Sequence, residues 1–471
     1  MAHIRLFNHY IQGPYLLLAL LELGVLFGAA YGAMYLRYGD EFAMQLYLGS
    51  DPVYRAVVFA LVMSLTTWAM GVYGSRLREG FAGMAVRSVV SFCLLGSASL
   101  SLLYYLVPQI SMGRGVLFWA VVLSLAGVLL LRYLFFKLVD VQRLRRRVVF
   151  YGAGRRTAEL LEQLQGAERG MSVEIVGCIP AGDNDPCLAA APILQAPDDW
   201  LQFVRTQRIS EIVISMDERR RGEGAVFPLA KFLDCKLAGV RVCDAIGFYE
   251  RETGKIELSL VQPGWMLFSE GFRYSQGRDI AKRAFDIVVS LALLAVVWPL
   301  MLIAAVMIAL ESGFPIIYRQ TRTGLNGKPF QVLKFRSMRK DAEKDGKAVW
   351  AKKNDDRITR FGHFMRNTRI DELPQLYNVL KGDMSFIGPR PERPEFVCDL
   401  VEKIPYYDTR HRVKPGLMGW AQLKYPYGAS VDDAAQKLRY DLYYVKNHSL
   451  LLDIVILVQT VEVILLGKGV H

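Results

Sequence analysis

Four apolar runs fall within the first 140 residues, at about 14–36, 56–75, 88–107 and 115–139. Each is close to the ~20 residues a helix needs to cross a bilayer. In lipid, a spanning segment must satisfy its own backbone, which leaves helices as the local structure. The first run carries only Glu22, and the second and third carry no charge. The fourth holds Arg132 and Lys137 near its end, where long side chains can reach toward the interface. Four such runs so close together argue against buried helices of a soluble domain. The loop after the second run has Arg76, Arg78 and Arg87, and the segment after the fourth has Arg143, Arg145, Arg146 and Arg147. The loop after the first run sets Asp40, Glu41 and Asp51 against Arg37 and Arg55. The excess of Lys and Arg on cytoplasmic loops then predicts a cytoplasmic N-terminus and a cytoplasmic chain after residue 140. The first run is long and lacks a small-residue exit site, so no cleavable signal peptide is expected.

A fifth run, 287–310, has no charged residue and carries Pro299 at its centre. Arg278, Lys282 and Arg283 precede it, and Arg319, Arg322 and Lys328 follow. Both flanks should prefer the cytoplasm. A helix broken at Pro299 that enters and leaves by the same face satisfies both, since each arm is then too short to span. This hairpin would moor the following residues against the inner leaflet.

The rest of the composition excludes several classes. With 52% hydrophobic and 22% charged residues, the chain is not a disordered protein. Lys and Arg exceed Asp and Glu by 57 − 45 = 12, which favours polyanionic partners such as phosphorylated substrates or anionic lipid headgroups. Nucleic acid is the least favoured of these, because the basic excess is spread over membrane flanks and phosphate-like motifs. The six cysteines form no Cys-x-x-Cys pair and the six histidines no His-Glu-x-x-His, so neither a zinc site nor a disulfide framework is expected.

Residues 148–245 change character. Val148-Val-Phe-Tyr-Gly-Ala-Gly reads as a buried strand and a Gly-x-Gly turn, followed by a helix over about 157–164. Further strands are expected at 173–179, 209–215 and 240–243. This alternation predicts an α/β Rossmann-like middle domain with a parallel sheet, spanning 148–262. Gly152 and Gly154 could bring a helix N-terminus to a phosphate. The fingerprint lacks its third glycine and the acidic residue after the second strand, so productive NAD binding is not expected.

The residues that carry chemistry lie beyond 277. Asn326-Gly327 marks a tight turn between two extended runs, and Lys334 and Arg336 fall on one face of the second. Two cations there suit a phosphate-binding wall, but for this pair alone a solvated strand face is the favoured reading. Asp371 is placed to cap a helix from Glu372 to Lys381 that stops at Gly382. Beside Arg366 and Arg369, the same carboxylate would be held ionised, available as a nucleophile or a metal ligand, with Glu372 able to act on a proton nearby. Pro389 and Pro391 stiffen the chain around Arg390, next to Glu392, and a rigid arginine suits the grip of a phosphate. Arg412-Val-Lys414-Pro-Gly adds cations and a stiff turn, and Arg439-Tyr-Asp441 adds a carboxylate. The apolar tail 450–466 holds Asp453 and Glu462 and reads as a docking or interfacial helix.

From about Gly277 onward the sequence resembles the bacterial sugar transferases that act as polyprenyl-phosphate hexose-1-phosphate transferases. The resemblance rests on Lys282-Arg-Ala-Phe-Asp, Lys334-Phe-Arg-Ser-Met, Asp371-Glu-Leu-Pro-Gln, Gly382-Asp-Met-Ser-Phe-Ile-Gly-Pro-Arg-Pro and Lys414-Pro-Gly. The long front end resembles the larger members, and Tyr425-Pro-Tyr-Gly resembles a subgroup linked to exopolysaccharide. The family usually has Ser before the hairpin proline and Thr in the Lys-Phe-Arg-Thr-Met motif; Trp298 and Ser337 stand there. The resemblance implies a membrane protein in three parts: a four-helix transmembrane bundle (1–140), the Rossmann-like domain, and a membrane-moored, mostly helical α/β catalytic domain (275–471) with a Pro-broken re-entrant helix. It implies a bacterial inner-membrane enzyme whose catalytic domain faces the cytoplasm. The implied reaction passes a sugar-1-phosphate from a UDP-sugar to undecaprenyl phosphate, with Asp371 as nucleophile and Glu372 as its acidic partner. Mg2+ near Asp371 is the expected cofactor. Lys334, Arg336, Arg366, Arg390, Glu392, Lys414 and Asp441 are the expected substrate contacts. Inner-membrane lipids and a second copy of the chain, as a homodimer, are the further expected partners. The competing readings are a membrane-bound NAD-dependent nucleotide-sugar dehydratase and a non-catalytic scaffold. The first needs a Tyr-x-x-x-Lys within the middle domain, but Tyr133/Lys137 and Tyr377/Lys381 lie outside it. The second gives no reason for Asp371, Arg366 and Arg390 to gather.

Overall fold

The computed structural model describes residues 3–39, 52–69, 84–138, 145–165, 173–217, 227–339 and 357–466, apart from isolated positions and short gaps within those stretches. The chain divides into two compact units, Met1–Phe248 and Tyr249–His471.

After a short antiparallel hairpin (His3–Leu6 and His9–Gln12), the first unit has apolar helices α1 (Gly13–Tyr38), α2 (Pro52–Ala69), α3 (Ser97–Leu106, preceded by a π-helical turn) and α4 (Arg114–Leu138). Small residues line their shared face. Ala30 and Ala33 of α1, Ala56 and Ala60 of α2 and Ala120 of α4 are buried together with Phe59, Met63 and Val128. Leu17, Leu20, Leu61, Leu65 and Leu130 point outward and are exposed, the reverse of a soluble bundle. Among the described residues, four helices are long and apolar enough to cross a membrane: Leu17–Tyr38, Arg87–Leu106, Arg114–Phe135 and Gln276–Ser312. The run at 56–75 is described only as far as Ala69, and Asp40, Glu41, Asp51, Arg76, Arg78 and Arg143 lie outside the described residues. Arg132 does not reach for an interface. It is fully buried, and it donates to both oxygens of Glu22 (2.6 and 2.7 Å) and to Ser88. The sole acid of the first run and an arginine of the fourth neutralise each other inside the bundle, where an unpaired charge would be costly.

The same unit holds a four-stranded parallel sheet. Its strands are β1 (Arg146–Tyr151), β2 (Val173–Ile179), β3 (Glu211–Ile214) and β4 (Arg241–Asp244), in the order β2-β1-β3-β4. Helices α5 (Arg155–Gln165), α6 (Trp200–Thr206) and α7 (Leu229–Leu237) fall between them in sequence. Val148, Val149, Phe150 and Tyr151 are all buried, as expected for a central parallel strand covered on both faces. Helix α8 (Ala245–Thr253) crosses the boundary between the units.

Residues 249–262, which the sequence pattern assigns to the middle domain, belong to the second unit. Glu250 pairs with Lys446 (2.5 Å), Glu257 with Arg439 (2.6 Å), and Gly254 O accepts from Trp420 Nε1 (2.7 Å). Helix α9 (Gln276–Ser312) runs for 37 residues with Pro299 inside it. The proline does not end the helix, since helical backbone continues on both sides of it. The proline removes one hydrogen bond there and displaces a carbonyl, but the flanking turns carry the helix on.

Both ends of α9 are tied to the same domain. Arg283 donates to Val379 O and Leu380 O (2.6 and 2.5 Å), and Asp286 accepts from Ser385 and the Phe386 amide (both 3.0 Å). At the other end, Glu311 accepts from the Phe361 amide (3.1 Å) and Ser312 O from Arg336 (2.8 Å). The hairpin β5 (Ile317–Thr323) and β6 (Pro329–Phe335) follows, with Asn326 and Gly327 at positive φ in its turn. Then come α10 (Arg360–Asn367), α11 (Gln375–Lys381), β7 (Ser385–Ile387), α12 (Pro394–Lys403), β8 (Gly416–Met418), α13 (Val431–Asn447) and α14 (Leu450–Leu466). The tail helix docks: Ile456 is buried, and Asp453 accepts from Tyr444 (2.8 Å) and pairs with Lys282 (3.0 Å).

Candidate active site

Two motifs, Gly388-Pro-Arg-Pro391 and Lys414-Pro-Gly416, build the arginine loop. Strands β7 and β8 pair in parallel, and Gly388 and Gly416 face each other so closely that a Cβ on either would strike the other's backbone or that of Lys414. Gly416 N donates to Pro389 O (2.9 Å), and Gly388 N donates to Met418 O (2.8 Å). Lys414-Pro-Gly is therefore a structural strap under Gly-Pro-Arg-Pro. The Lys414 side chain does not join the Asp371 cluster. Burial pushes its ammonium down, and the charges acting on it are Arg283, Asp286, Asp279 and Asp383.

Asp371 and Glu372 sit in a 3-10 turn, Ile370–Glu372, entered through Arg369 in the left-handed region (φ 59°). The expected helix start at Glu372 is delayed to Gln375, and Asp371 makes no capping bond. The reason is local: Arg369 reverses the backbone, and Pro374 has no amide to give. Gly382 ends the helix at φ 98°, as the sequence indicates.

The two carboxylates are treated in opposite ways. Glu372 is met by Arg390 (3.0 Å), Lys334 (3.2 Å) and Arg369 (3.7 Å). Burial pushes its carboxyl up, but Lys334, Arg390 and Arg369 together pull it well below the usual carboxylate range. Glu372 is thereby favoured in its ionised form and ion-pairs with three cations. Asp371 is also buried, yet among the described residues its carboxylate receives no hydrogen bond. Burial and then the Glu372 charge push it up, against Lys334, Arg366 and Arg390. Asp371 is thus the more basic of the two.

The remaining expected contacts separate. Arg366 is held by the Ser337 hydroxyl (2.9 Å) and belongs to the cluster. Arg336, two residues from Lys334, turns away and binds Ser312 O, Ser312 Oγ and Gly313 O at the end of α9. Glu392 braces Arg322 (3.5 Å). Asp441 is buried and ion-paired with Arg410 (2.8 Å), and Arg410 donates to the Arg390 carbonyl (2.9 Å). Asp441 therefore acts on the arginine loop from behind. Arg410 and Ser337 are positioning residues that motif reading missed. Nothing in the spacing of Arg410 marks it as Asp441's partner, and Ser337 registers only as a stand-in for Thr.

The glycine turn of the first unit differs. Gly152 has φ +110°, and a Cβ there would strike the backbone of Ser215 and Met216. Its neighbouring amides are already occupied. Asp185 accepts from Ala153 N (2.8 Å) and Ala181 N (3.0 Å), and Asp217 accepts from Arg155 N (2.9 Å) and Arg156 N (2.8 Å).

An ionised cradle with one unbonded carboxylate, beside a long apolar helix, defines a class of enzyme that handles phosphorylated groups at a membrane. Comparison with known proteins narrows it. The bacterial sugar transferase family model matches residues 277–467, and a CoA-binding domain model matches 68–227. The chain is 39% identical over 298 residues to a UDP-N-acetylgalactosamine-undecaprenyl-phosphate N-acetylgalactosaminephosphotransferase of Aeromonas hydrophila, covering 62% of this chain and 67% of that one. It is 43% identical over 190 residues to a UDP-glucose:undecaprenyl-phosphate glucose-1-phosphate transferase of Caulobacter vibrioides, covering 40% and 70%. A protein of the same description from Xanthomonas campestris pv. campestris is 36% identical over 276 residues, and there the match spans only 56% of the relative. The chain belongs to the bacterial sugar transferase family.

Proposed function

We infer that this protein transfers a sugar-1-phosphate from a UDP-sugar to undecaprenyl phosphate, releasing UMP. The reading is carried by one observation: a buried, unbonded Asp371 carboxylate beside Lys334, Arg366 and Arg390. An Asp371 oxygen attacks the sugar-bearing phosphorus; the bond from that phosphorus to the bridging oxygen breaks, and UMP leaves with the electron pair. A phosphate oxygen of the lipid then attacks the same phosphorus, and the Asp371 carboxylate leaves. The raised basicity of Asp371 suits attack, and Arg366, bound to Ser337, has donors to spare for the diphosphate. Glu372 keeps Lys334 and Arg390 pointed at the reacting phosphates. The named relatives act on undecaprenyl phosphate, which supports this acceptor.

Mg2+ fits the donor set in a limited way. Among the described residues no three His, Cys, Asp or Glu groups gather to cage a metal. A single free carboxylate, Asp371, suits an ion carried mainly by substrate phosphates. When bound, it would offset diphosphate charge.

The re-entrant reading of α9 is supported by its anchors. Residues 286 and 311, at opposite ends of the apolar stretch, bond to one domain. A straight spanning helix would put about 30 Å of hydrocarbon between them. A bend at Pro299 lets both arms return to the cytoplasmic face of the inner membrane. Tyr425-Pro-Tyr-Gly favours a role in exopolysaccharide assembly. No observation favours the dehydratase: Tyr133/Lys137 and Tyr377/Lys381 lie in α4 and α11, outside the parallel sheet. The test is UMP release by the purified full chain with undecaprenyl phosphate and a panel of UDP-sugars. Release with one or more sugars supports the transfer, and no release with any of them contradicts it.

A further inference from the structure

Arg336 holds more donors than its partners use. The residue is 7% exposed, and its Nη2 caps the end of α9 through Ser312 and Gly313. Its Nε and Nη1 are buried and have no acceptor among the described residues. A buried unpaired donor costs on the order of 1–3 kcal/mol, and more when it is charged, so these two donors have capacity for a further acceptor.

Arg336 lines an open cavity of about 590 Å3 together with Phe314, Pro315, Ile316, Ile317, Tyr318 and the exposed Arg319. That is within the ~300–1,000 Å3 of small-molecule sites. The cavity starts where the apolar helix stops: Leu310 and Phe314 beside it are 78% and 69% exposed. Two of its lining residues, Ile316 and Ile317, pack against the hydrophobic cluster that holds Phe335 and Ile370, which neighbour Lys334 and Asp371 in sequence. Ser337, next to Arg336, holds Arg366. An apolar trough, a buried cation with spare donors and an opening beside exposed apolar surface fit a single-chain lipid ending in a phosphate.

We propose that this cavity docks the polyprenyl phosphate acceptor, with its phosphate on Arg336 and its first isoprene units along Phe314, Ile316 and Ile317. The assignment rests on the transferase reading above. Phospholipid headgroups share the phosphate, but their diester linkage offers Arg336 and Arg319 fewer charged oxygens than a terminal phosphate does.

The test measures KM separately for undecaprenyl phosphate and for the UDP-sugar, using the full chain in nanodiscs. Ile317→Trp fills the trough without touching the cap of α9; Arg336→Gln removes the cation and part of that cap. Both should raise the acceptor KM about tenfold or more and move the donor KM by less than twofold. An unchanged acceptor KM in Ile317→Trp, or equal rises in both constants, would overturn the proposal. Added phosphatidylglycerol that competes with the acceptor in the unsubstituted protein, but not in Ile317→Trp, would assign the cavity to phospholipid and also overturn it. Failure of the transferase reading is distinct: there the unsubstituted protein releases no UMP with any UDP-sugar.

Discussion

The glycine turn at 152–154 and the acidic turn at 369–372 both offer donors of the kind that receive phosphates, and the chain uses them in opposite ways. In the first, Asp185 and Asp217 occupy the amides that a pyrophosphate would take. In the second, Lys334 and Arg390 are gathered by Glu372, while the Asp371 carboxylate beside them receives no hydrogen bond among the described residues. A turn whose donors are satisfied from within is a structural joint. A turn that holds cations around an unbonded carboxylate keeps its capacity for a substrate. The difference lies in where the acids stand, and the glycines alone do not reveal it.

The largest effect should come from Asp371→Asn, which removes the nucleophile and keeps the size. Turnover should fall by on the order of 10^4-fold, measured as UMP release. Arg390→Ala should lower kcat/KM for the UDP-sugar by roughly 10^2–10^3-fold, the scale of losing one donor to a developing charge. Arg410→Ala leaves Asp441 buried without its partner, which costs about 3–5 kcal/mol of stability. Thermal unfolding should show that loss, and the UDP-sugar KM should rise as the Arg390 loop relaxes.

The two carboxylates should also separate in stability. The Asp371 carboxyl is pushed up in the fold, so its ionisation destabilises the folded state as pH rises through its raised pKa. Asp371→Asn should therefore raise Tm at neutral pH, with the gain shrinking toward acid. The Glu372 carboxyl is held down, so its contribution is present above the ordinary carboxylate range and lost as pH falls. Glu372→Gln should lower Tm at neutral pH. The smallest effect on activity belongs to the other turn. Asp217→Ala should cost about 1 kcal/mol, the scale of losing a helix cap, and leave turnover within twofold. A hundredfold loss of turnover there would break the contrast between the two turns.

Much of this was legible in sequence, for physical reasons that also mark the limits. The parallel sheet could be read because buried strands such as Val148–Tyr151 are continuous apolar runs between turn residues. That Asp371 stands among cations could be read because Arg366 is close to it in sequence and Pro389 and Pro391 stiffen the chain around Arg390. Charge pairing across distance could not. Glu22 and Arg132 are 110 positions apart, and Arg410 and Asp441 are 31 apart, and no local period links either pair. The fate of Arg336 was equally hidden, because strand alternation places it beside Lys334 until the chain turns at the end of β6. The helix start at 372 was misplaced because capping propensity favours Asp371, whereas the left-handed Arg369 sets a 3-10 turn instead.

The central claim is that Asp371 becomes bonded to the sugar-bearing phosphorus. The direct measurement incubates the full chain with a UDP-sugar labelled in the sugar and no lipid phosphate, then counts UMP and maps the label by peptide mass spectrometry. The account expects about one UMP per active chain and a sugar phosphate on the peptide that carries Asp371, discharged when undecaprenyl phosphate is added. Turnover that requires the lipid from the start, with no label on Asp371, would contradict it and leave direct attack by the lipid phosphate as the mechanism.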